Sequence, residues 1–265
     1  MGDAIGVFDS GVGGLTVLKE ILRLMPEENT IYLGDTARVP YGTRSASTIR
    51  KYARQTTSFL VSKGVKMLVV ACNTSAAVAL PALRRHFPGL PVIGVIEPGA
   101  RAAAAASTSG RIGVIGTEGT IGSGAYERAI RRLRPDADIL SSPCPLFVSL
   151  AEEGWVEGKV ARLVAREYLE PLREKGIDTL VLGCTHYPLL KGTIRRVMGQ
   201  QVLLIDSAEE TARAVREKLR GAGLEAPGRR RSRRRFYVTD LPAKFKVLGR
   251  RFLDAPVGRA YQVDM

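Results

Sequence analysis

Hydrophobic residues come in short unbroken runs, each closed by a polar or glycine-rich turn and followed by a stretch with helical spacing. Ala4 to Phe8 reads as a strand, Asp9-Ser10-Gly11-Val12-Gly13-Gly14 as a tight turn, and Leu15 to Met25 as a helix. Thr30 to Asp35 is a second strand, followed by the loop Thr36 to Gly42 and a helix from about Ser45 to Lys63. Val65 to Ala71 is a third strand that runs into Cys72, and its helix ends near His86-Phe87-Pro88-Gly89. Leu90 to Ile96 is a fourth, ending at Glu97-Pro98.

The pattern then restarts. Arg111-Ile112-Gly113-Val114-Ile115-Gly116-Thr117 echoes the strand and turn at Ala4 to Ser10. Leu180-Val181-Leu182-Gly183-Cys184-Thr185-His186 echoes Leu68-Val69-Val70-Ala71-Cys72-Asn73-Thr74 at nearly the same offset. Matching segments follow each cysteine, at Ala82 to Pro88 and Thr193 to Gly199, with strands at Leu90–Ile96 and Gln201–Ile205. We read this as an internal repeat of α/β units. A helix from Glu209 to Arg220, a late strand at Phe236 to Thr239 and a last helix from Pro242 to Phe252 complete the chain.

Alternating strands and helices predict mostly parallel sheets covered by helices. The expected fold is α/β, with two pseudo-symmetric domains packed face to face and the active site in the cleft between them. The alanine-rich segment Arg101 to Gly110 leads from one to the other. The tail is assigned back to the first, so residues 1–98 and 208–265 form a discontinuous first domain and 99–207 an inserted second. In such sheets ligands bind at the carboxyl ends of the strands, where Tyr41, flanked by Pro40 and Gly42, and both cysteines fall.

Composition narrows the class. The chain has 265 residues, enough for a substantial core, and 45% are hydrophobic. No apolar run approaches the ~18 residues that span a bilayer. The first ten residues lack a basic n-region and an apolar h-region, so cytosolic residence is expected. Three cysteines do not make a disulfide framework and suit a reducing compartment. The net charge of +14 is partly local, with Arg229, Arg230, Arg231, Arg233, Arg234 and Arg235 in one run. That run could be a nucleic-acid patch. No helix-turn-helix, zinc-finger or aromatic RNA-binding pattern accompanies it, so a solvated loop is the simpler reading.

Two cysteines at matching strand ends define the candidate chemistry. A thiolate is a good nucleophile and a usable base when its pKa is lowered from about 8.5, and a helix N-terminus can lower it. One cysteine with a histidine would suggest covalent hydrolysis. Two facing, pseudo-symmetric cysteines suggest proton removal from one side of a carbon and delivery to the other, which inverts a stereocentre. A buried cysteine is also a common core residue. Cys184 and His186 could ligate zinc, but there is no Cys-x-x-Cys and His86 is the only other histidine. Cys144, in Ser142-Pro143-Cys144-Pro145, shows no strand-end echo and reads as structural. The turn after the first strand lacks both the P-loop and the Gly-x-Gly-x-x-Gly spacing, and Asp9 and Ser10 there read equally well as helix caps.

The chain resembles the cofactor-independent glutamate racemases, within the aspartate/glutamate racemase superfamily. The resemblance is carried by Val7-Phe8-Asp9-Ser10-Gly11-Val12-Gly13-Gly14-Leu15, Asp35-Thr36-Ala37-Arg38-Val39-Pro40-Tyr41-Gly42, Ala71-Cys72-Asn73-Thr74, Glu152-Glu153-Gly154-Trp155 and Gly183-Cys184-Thr185-His186-Tyr187-Pro188. It implies that Cys72 and Cys184 exchange the Cα proton, each serving one enantiomer, and that no cofactor and no metal is needed. Asp9 and His186 would assist the thiols. A glutamate of the Glu152-Glu153 pair, with Glu153 preferred, would support His186. Asp9, Ser10, Tyr41, Gly42, Asn73, Thr74, Thr185 and His186 would bind L- or D-glutamate. The resemblance further implies a bacterial, cytoplasmic enzyme that supplies D-glutamate for peptidoglycan, and a homodimer of unassigned interface without membrane or nucleic-acid partners.

Three other readings remain at this stage. A relative acting on aspartate differs only in the length of the substrate side chain. A zinc or thiol hydrolase would use one cysteine, and a nucleic-acid module would use the arginine run. A pyridoxal enzyme would need a Schiff-base lysine, whereas the strand ends here carry Cys, Asp and Gly.

Overall fold

The computed structural model describes residues 3–227 and 232–265. Arg229, Arg230 and Arg231 of the arginine run lie outside the described residues. The first part of the chain forms β1 (Ala4–Asp9), α1 (Leu15–Leu24), β2 (Asn29–Gly34), α2 (Ala46–Ser62), β3 (Val65–Val70), α3 (Asn73–His86), β4 (Val92–Gly94) and α4 (Ile96–Ala106). The second part forms β5 (Arg111–Gly116), α5 (Glu118–Gly122), α6 (Ala125–Leu133), β6 (Asp138–Pro143), α7 (Leu146–Glu153) and α8 (Gly158–Glu174). It continues through β7 (Thr179–Gly183), α9 (Lys191–Met198) and β8 (Leu203–Asp206). The tail is α10 (Ser207–Gly221), β9 (Arg234–Val238), α11 (Pro242–Leu253) and β10 (Ala260–Gln262).

These strands make two sheets, ordered β10-β9-β2-β1-β3-β4 and β6-β5-β7-β8. Every described pairing is parallel. The repeat seen in the sequence is now a topology: β4-β3-β1-β2 in one sheet and β8-β7-β5-β6 in the other follow the same order. The central strands β1 and β3 are buried along their whole length, which explains their unbroken apolar sequences. Helices cover them with apolar stripes, as in α1, whose Leu15, Leu18, Ile21 and Leu22 are all buried. Buried residues of both sheets join in a single core, and α10 packs on both α1 and α4. No helix among the described residues is long and apolar enough to cross a membrane.

Several expected elements change. The fourth strand keeps only Val92–Gly94, because Ile96 starts α4 and takes Glu97 and Pro98 into its first turn, where proline is well tolerated. The segment expected to link the repeats is therefore largely helix, in keeping with its alanines. Strand β6 was not anticipated at all: its pattern is partly exposed and ends in Ser141-Ser142-Pro143. Its presence puts Cys144 at a strand end after all, opposite Asp35 in the other sheet's order. Arg234 and Arg235 are not loop residues, since they open β9 and pair with Thr30 and Ile31 of β2 while their side chains stay exposed.

Candidate active site

The carboxyl ends of β1, β3, β5 and β7 converge on one cavity of about 230 Å³. Its wall includes Ser10 after β1, Cys72, Asn73 and Thr74 after β3, Thr117 and Glu118 after β5, and Cys184, Thr185 and His186 after β7. The loop after β2 adds Pro40, Tyr41, Gly42 and Thr43, and α7 with its approach adds Pro145, Val148 and Ser149. Both thiols thus line one cavity, at equivalent positions of two similarly ordered sheets. Two larger grooves, of about 630 and 600 Å³, lie over α3 and α4, are lined by arginine, alanine and proline, and contain neither thiol.

The two ends of the cavity are chemically different. Cys72 is the N-cap of α3, and its sulfur accepts the Ser75 N–H at 3.5 Å while its thiol donates to the Ser10 hydroxyl at 3.8 Å. The helix end was expected to lower its pKa. Instead burial, reinforced by the charge of Asp9, outweighs those hydrogen bonds and pushes Cys72 up to about 11. Cys184 lies 3.8 Å from His186 Nδ1, and His186 Nε2 lies 3.0 Å from Glu152 Oε1. Burial pulls the His186 pKa down. Hydrogen bonds with Cys184 and Glu152, and the charges of Cys184 and Asp9, more than reverse this and raise it to about 10. One thiol therefore keeps its own proton, whereas the other lies against a protonated imidazole.

Asp9 caps no helix. It is 1% exposed, its Oδ2 accepts the Gly11 N–H at 3.0 Å, and its Oδ1 has no partner among the described residues. Burial raises its pKa against the opposing charge of His186. The turn holding it packs tightly on the other sheet: a Cβ at Gly13 would meet the Thr185 hydroxyl and lie 2.6 Å from His186 Nδ1.

The remaining candidates are fixed by hydrogen bonds. Tyr41 is 1% exposed, and its hydroxyl donates to Asp35. Asp35 also holds Arg38 Nε at 2.7 Å and the Thr239 hydroxyl at 2.9 Å. The Thr74, Thr117 and Thr120 hydroxyls form a triangle of 2.9, 3.2 and 3.0 Å that links the two sheets across the cavity edge.

Of the residues selected from sequence, Ser10, Tyr41, Gly42, Cys72, Asn73, Thr74, Cys184, Thr185 and His186 all line the cavity, whereas Asp9 is buried and is not part of its wall. Glu153 does not. The structure brings Glu152 to His186 and leaves Glu153 exposed at the end of α7. Thr117 and Glu118 were overlooked, although the repeat places Thr117 opposite Ser10. Nothing in the sequence pattern marked Pro145, Val148 or Ser149. Among the described residues no group of three or more His, Cys, Asp or Glu side chains is placed to hold a metal ion.

The Asp/Glu/Hydantoin racemase family model matches residues 5–215. A glutamate racemase of Geobacter metallireducens is 58% identical over 262 residues, covering 99% of this chain and 97% of the relative. A crystal structure of a glutamate racemase isoform from Bacillus anthracis superposes with a TM-score of 0.95 at 41% identity, covering 99% of this chain and 98% of that one. The Francisella tularensis glutamate racemase, solved in complex with D-glutamate, gives a TM-score of 0.92 at 41% identity over 98% and 97% of the two chains.

Proposed function

The chain belongs to the Asp/Glu/Hydantoin racemase family, and from that premise we propose that it interconverts L- and D-glutamate by passing the Cα proton between Cys72 and Cys184. The observation that carries this reading is that both thiols line one cavity. The relatives at 50–58% identity are named for glutamate, which favours glutamate over aspartate as substrate.

In one direction a thiolate removes the Cα proton, the C–H electron pair stays on the substrate as a carbanion delocalised into the α-carboxylate, and the opposite thiol protonates the other face. The atoms balance with no redox change, and no cofactor enters the scheme. The free cavity holds a proton on Cys72 and another on His186 beside Cys184. The proton held on Cys72 suits that thiol to delivery, and an imidazolium 3.8 Å from Cys184 would stabilise a thiolate there, which suits Cys184 to abstraction. Turnover leaves the proton on Cys184 and a thiolate at Cys72, and the reverse reaction starts from that state. Glu152 supports the His186 cation, and the charge of Asp9 favours it further. Ser10, Tyr41, Gly42, Asn73, Thr74, Thr185 and His186 supply hydroxyl, amide and imidazole groups for the substrate's carboxylates and ammonium. Such donors stabilise the developing negative charge, with the His186 cation beside Cys184 only. Because the products are mirror images, kcat/KM must be equal in both directions, so the asymmetry of the site shows only in kcat and KM taken singly.

The same reading divides the chain into a first unit of residues 1–98 and 208–265 and a second of 99–207, a division supported by the return of β9 and β10 to the first sheet. It also takes the enzyme as a cytoplasmic homodimer supplying D-glutamate for peptidoglycan. The test is proton NMR of L-glutamate in D2O with the purified protein, with chirality read on a chiral column and L-aspartate run in parallel. Loss of the Cα proton signal together with D-glutamate formation is expected without added cofactor. Exchange on aspartate alone would move the substrate, and no exchange on either would sink the two-thiol mechanism.

A further inference from the structure

We propose that Tyr126 is a positioning residue for substrate recognition: its hydroxyl crosses from α6 to fix the Asn73 amide, so that Nδ2 is presented to a substrate carboxylate. The inference rests on the glutamate-binding reading of the cavity and goes beyond it to a residue outside the wall. Asn73 is the first residue of α3, directly after Cys72, and it lines the cavity. It is 3% exposed, yet its Nδ2 has no hydrogen-bond partner among the described residues. A buried amide with an unused donor is costly unless something else satisfies it. Its other end is occupied, because the Tyr126 hydroxyl donates to Oδ1 at 2.8 Å. Holding the acceptor end from behind leaves both N–H bonds for a ligand.

The surroundings of Tyr126 fit this purpose. Its ring is 2% exposed, and two glycines make room for it. A Cβ at Gly183, just before Cys184, would lie 3.0 Å from the ring, and one at Gly99 of α4 would lie 3.3 Å from its oxygen. The arrangement has a counterpart across the pseudo-symmetry. Thr16 of α1 donates its hydroxyl at 3.0 Å to the carbonyl of Thr185, the residue directly after Cys184. The residue following each thiol is thus held by a hydroxyl from helices that follow the first strand of the opposite sheet. Tyr126 serves Asn73 in one direction, and Thr16 serves Thr185 in the other.

Asparagine occurs only at positions 29 and 73, so asparagine-selective 15N labelling of the full chain yields two side-chain amide pairs. In the wild type, Asn73 should give one well-resolved pair, which shifts on adding D-glutamate. Tyr126→Phe, which removes one oxygen and keeps the ring, should broaden or average that pair. It should also raise KM roughly tenfold with kcat within about twofold, the size expected for one hydrogen bond. In a cycle with Asn73→Ala, adding Tyr126→Phe should cost nothing further. p-Aminophenylalanine at 126, which keeps a donor at that place, should restore KM. Multiplicative losses in the cycle, or an unchanged Asn73 resonance in Tyr126→Phe, would overturn the proposal in favour of simple packing. If the wild type fails to racemise glutamate, the function reading falls, and the Asn73 resonance still decides whether Tyr126 holds the amide.

Discussion

His186 is a buried cation held between a thiol and a carboxylate, and two consequences follow at the scale of single residues. Its pKa in the fold, about 10, lies above the ordinary value of 6.5. A raised basic group contributes stability fully below its unfolded value, and that contribution is lost as pH rises through the folded one. The stability difference between wild type and His186→Gln should therefore shrink steadily from pH 6.5 to 10. Urea unfolding at three pH values checks this, and parallel curves would contradict it. The second consequence concerns Glu152. Replacing it with Gln removes a charge-assisted hydrogen bond of about 1.5–3 kcal/mol, so kcat/KM should fall roughly 10–100-fold, whereas Glu153→Gln should stay within about twofold. Steady-state kinetics of the pair separates them, and equal losses would return the role to Glu153. The sequence could narrow the choice to two adjacent glutamates and no further. Neighbours on a helix point about 100° apart, and only the docking of α7 decides which one faces His186. The expected lowering of the Cys72 pKa failed for a similar reason. The helix end is visible in sequence, but the burial and the Asp9 charge that overcome it are not.

At the scale of elements, the legible parts were those whose burial is complete. β1, β3, β5 and β7 announce themselves as apolar runs, and the residues just after them carry most of the cavity. β6 escaped because an edge strand, paired on one side only and partly exposed, can end in Ser-Ser-Pro without penalty. With it went the position of Cys144, whose carbonyl accepts the Tyr187 hydroxyl at 2.8 Å and so helps seat the turn after His186. The glycine-rich turn between β1 and α1 was legible as a turn but not as a packing surface. Gly13 has no room for a side chain against Thr185 and His186. Gly13→Ala should cost about 1–3 kcal/mol in stability through overpacking. It should cost far more in activity, because the displaced groups are the two that follow Cys184. Circular dichroism melting and racemisation measured on the same sample test this. A variant that melts early but turns over normally would show that the two strand-end turns are not coupled.

At the scale of the whole molecule, the tail closes the site without lining it. After α10 the chain returns to the first sheet through β9 and β10, and Thr239 at the end of β9 holds the Asp35 that holds Tyr41. Helix α11 reaches the other end of the cavity. The Phe252 ring stands edge-on to His186 with centroids 5.1 Å apart, and Arg251 donates to the backbone carbonyl of Glu152. The last part of the chain thus braces the aromatic wall and the His186–Glu152 pair, although among the described residues none after His186 lines the cavity. Phe252 is 1% exposed, so Phe252→Ala should destabilise the fold by about 3–5 kcal/mol through the space it leaves. If α11 served stability alone, the folded fraction would retain full activity per molecule. If it also braces His186, activity per folded molecule should fall at least tenfold, because the imidazole gains freedom beside Cys184. Phe252→Leu, which refills much of the volume without an aromatic edge, should recover most of the stability and less of the activity. Measuring kcat/KM at a temperature well below both melting transitions distinguishes these outcomes. Equal recovery of stability and activity in the leucine variant would assign α11 to packing and leave the orientation of His186 to Glu152.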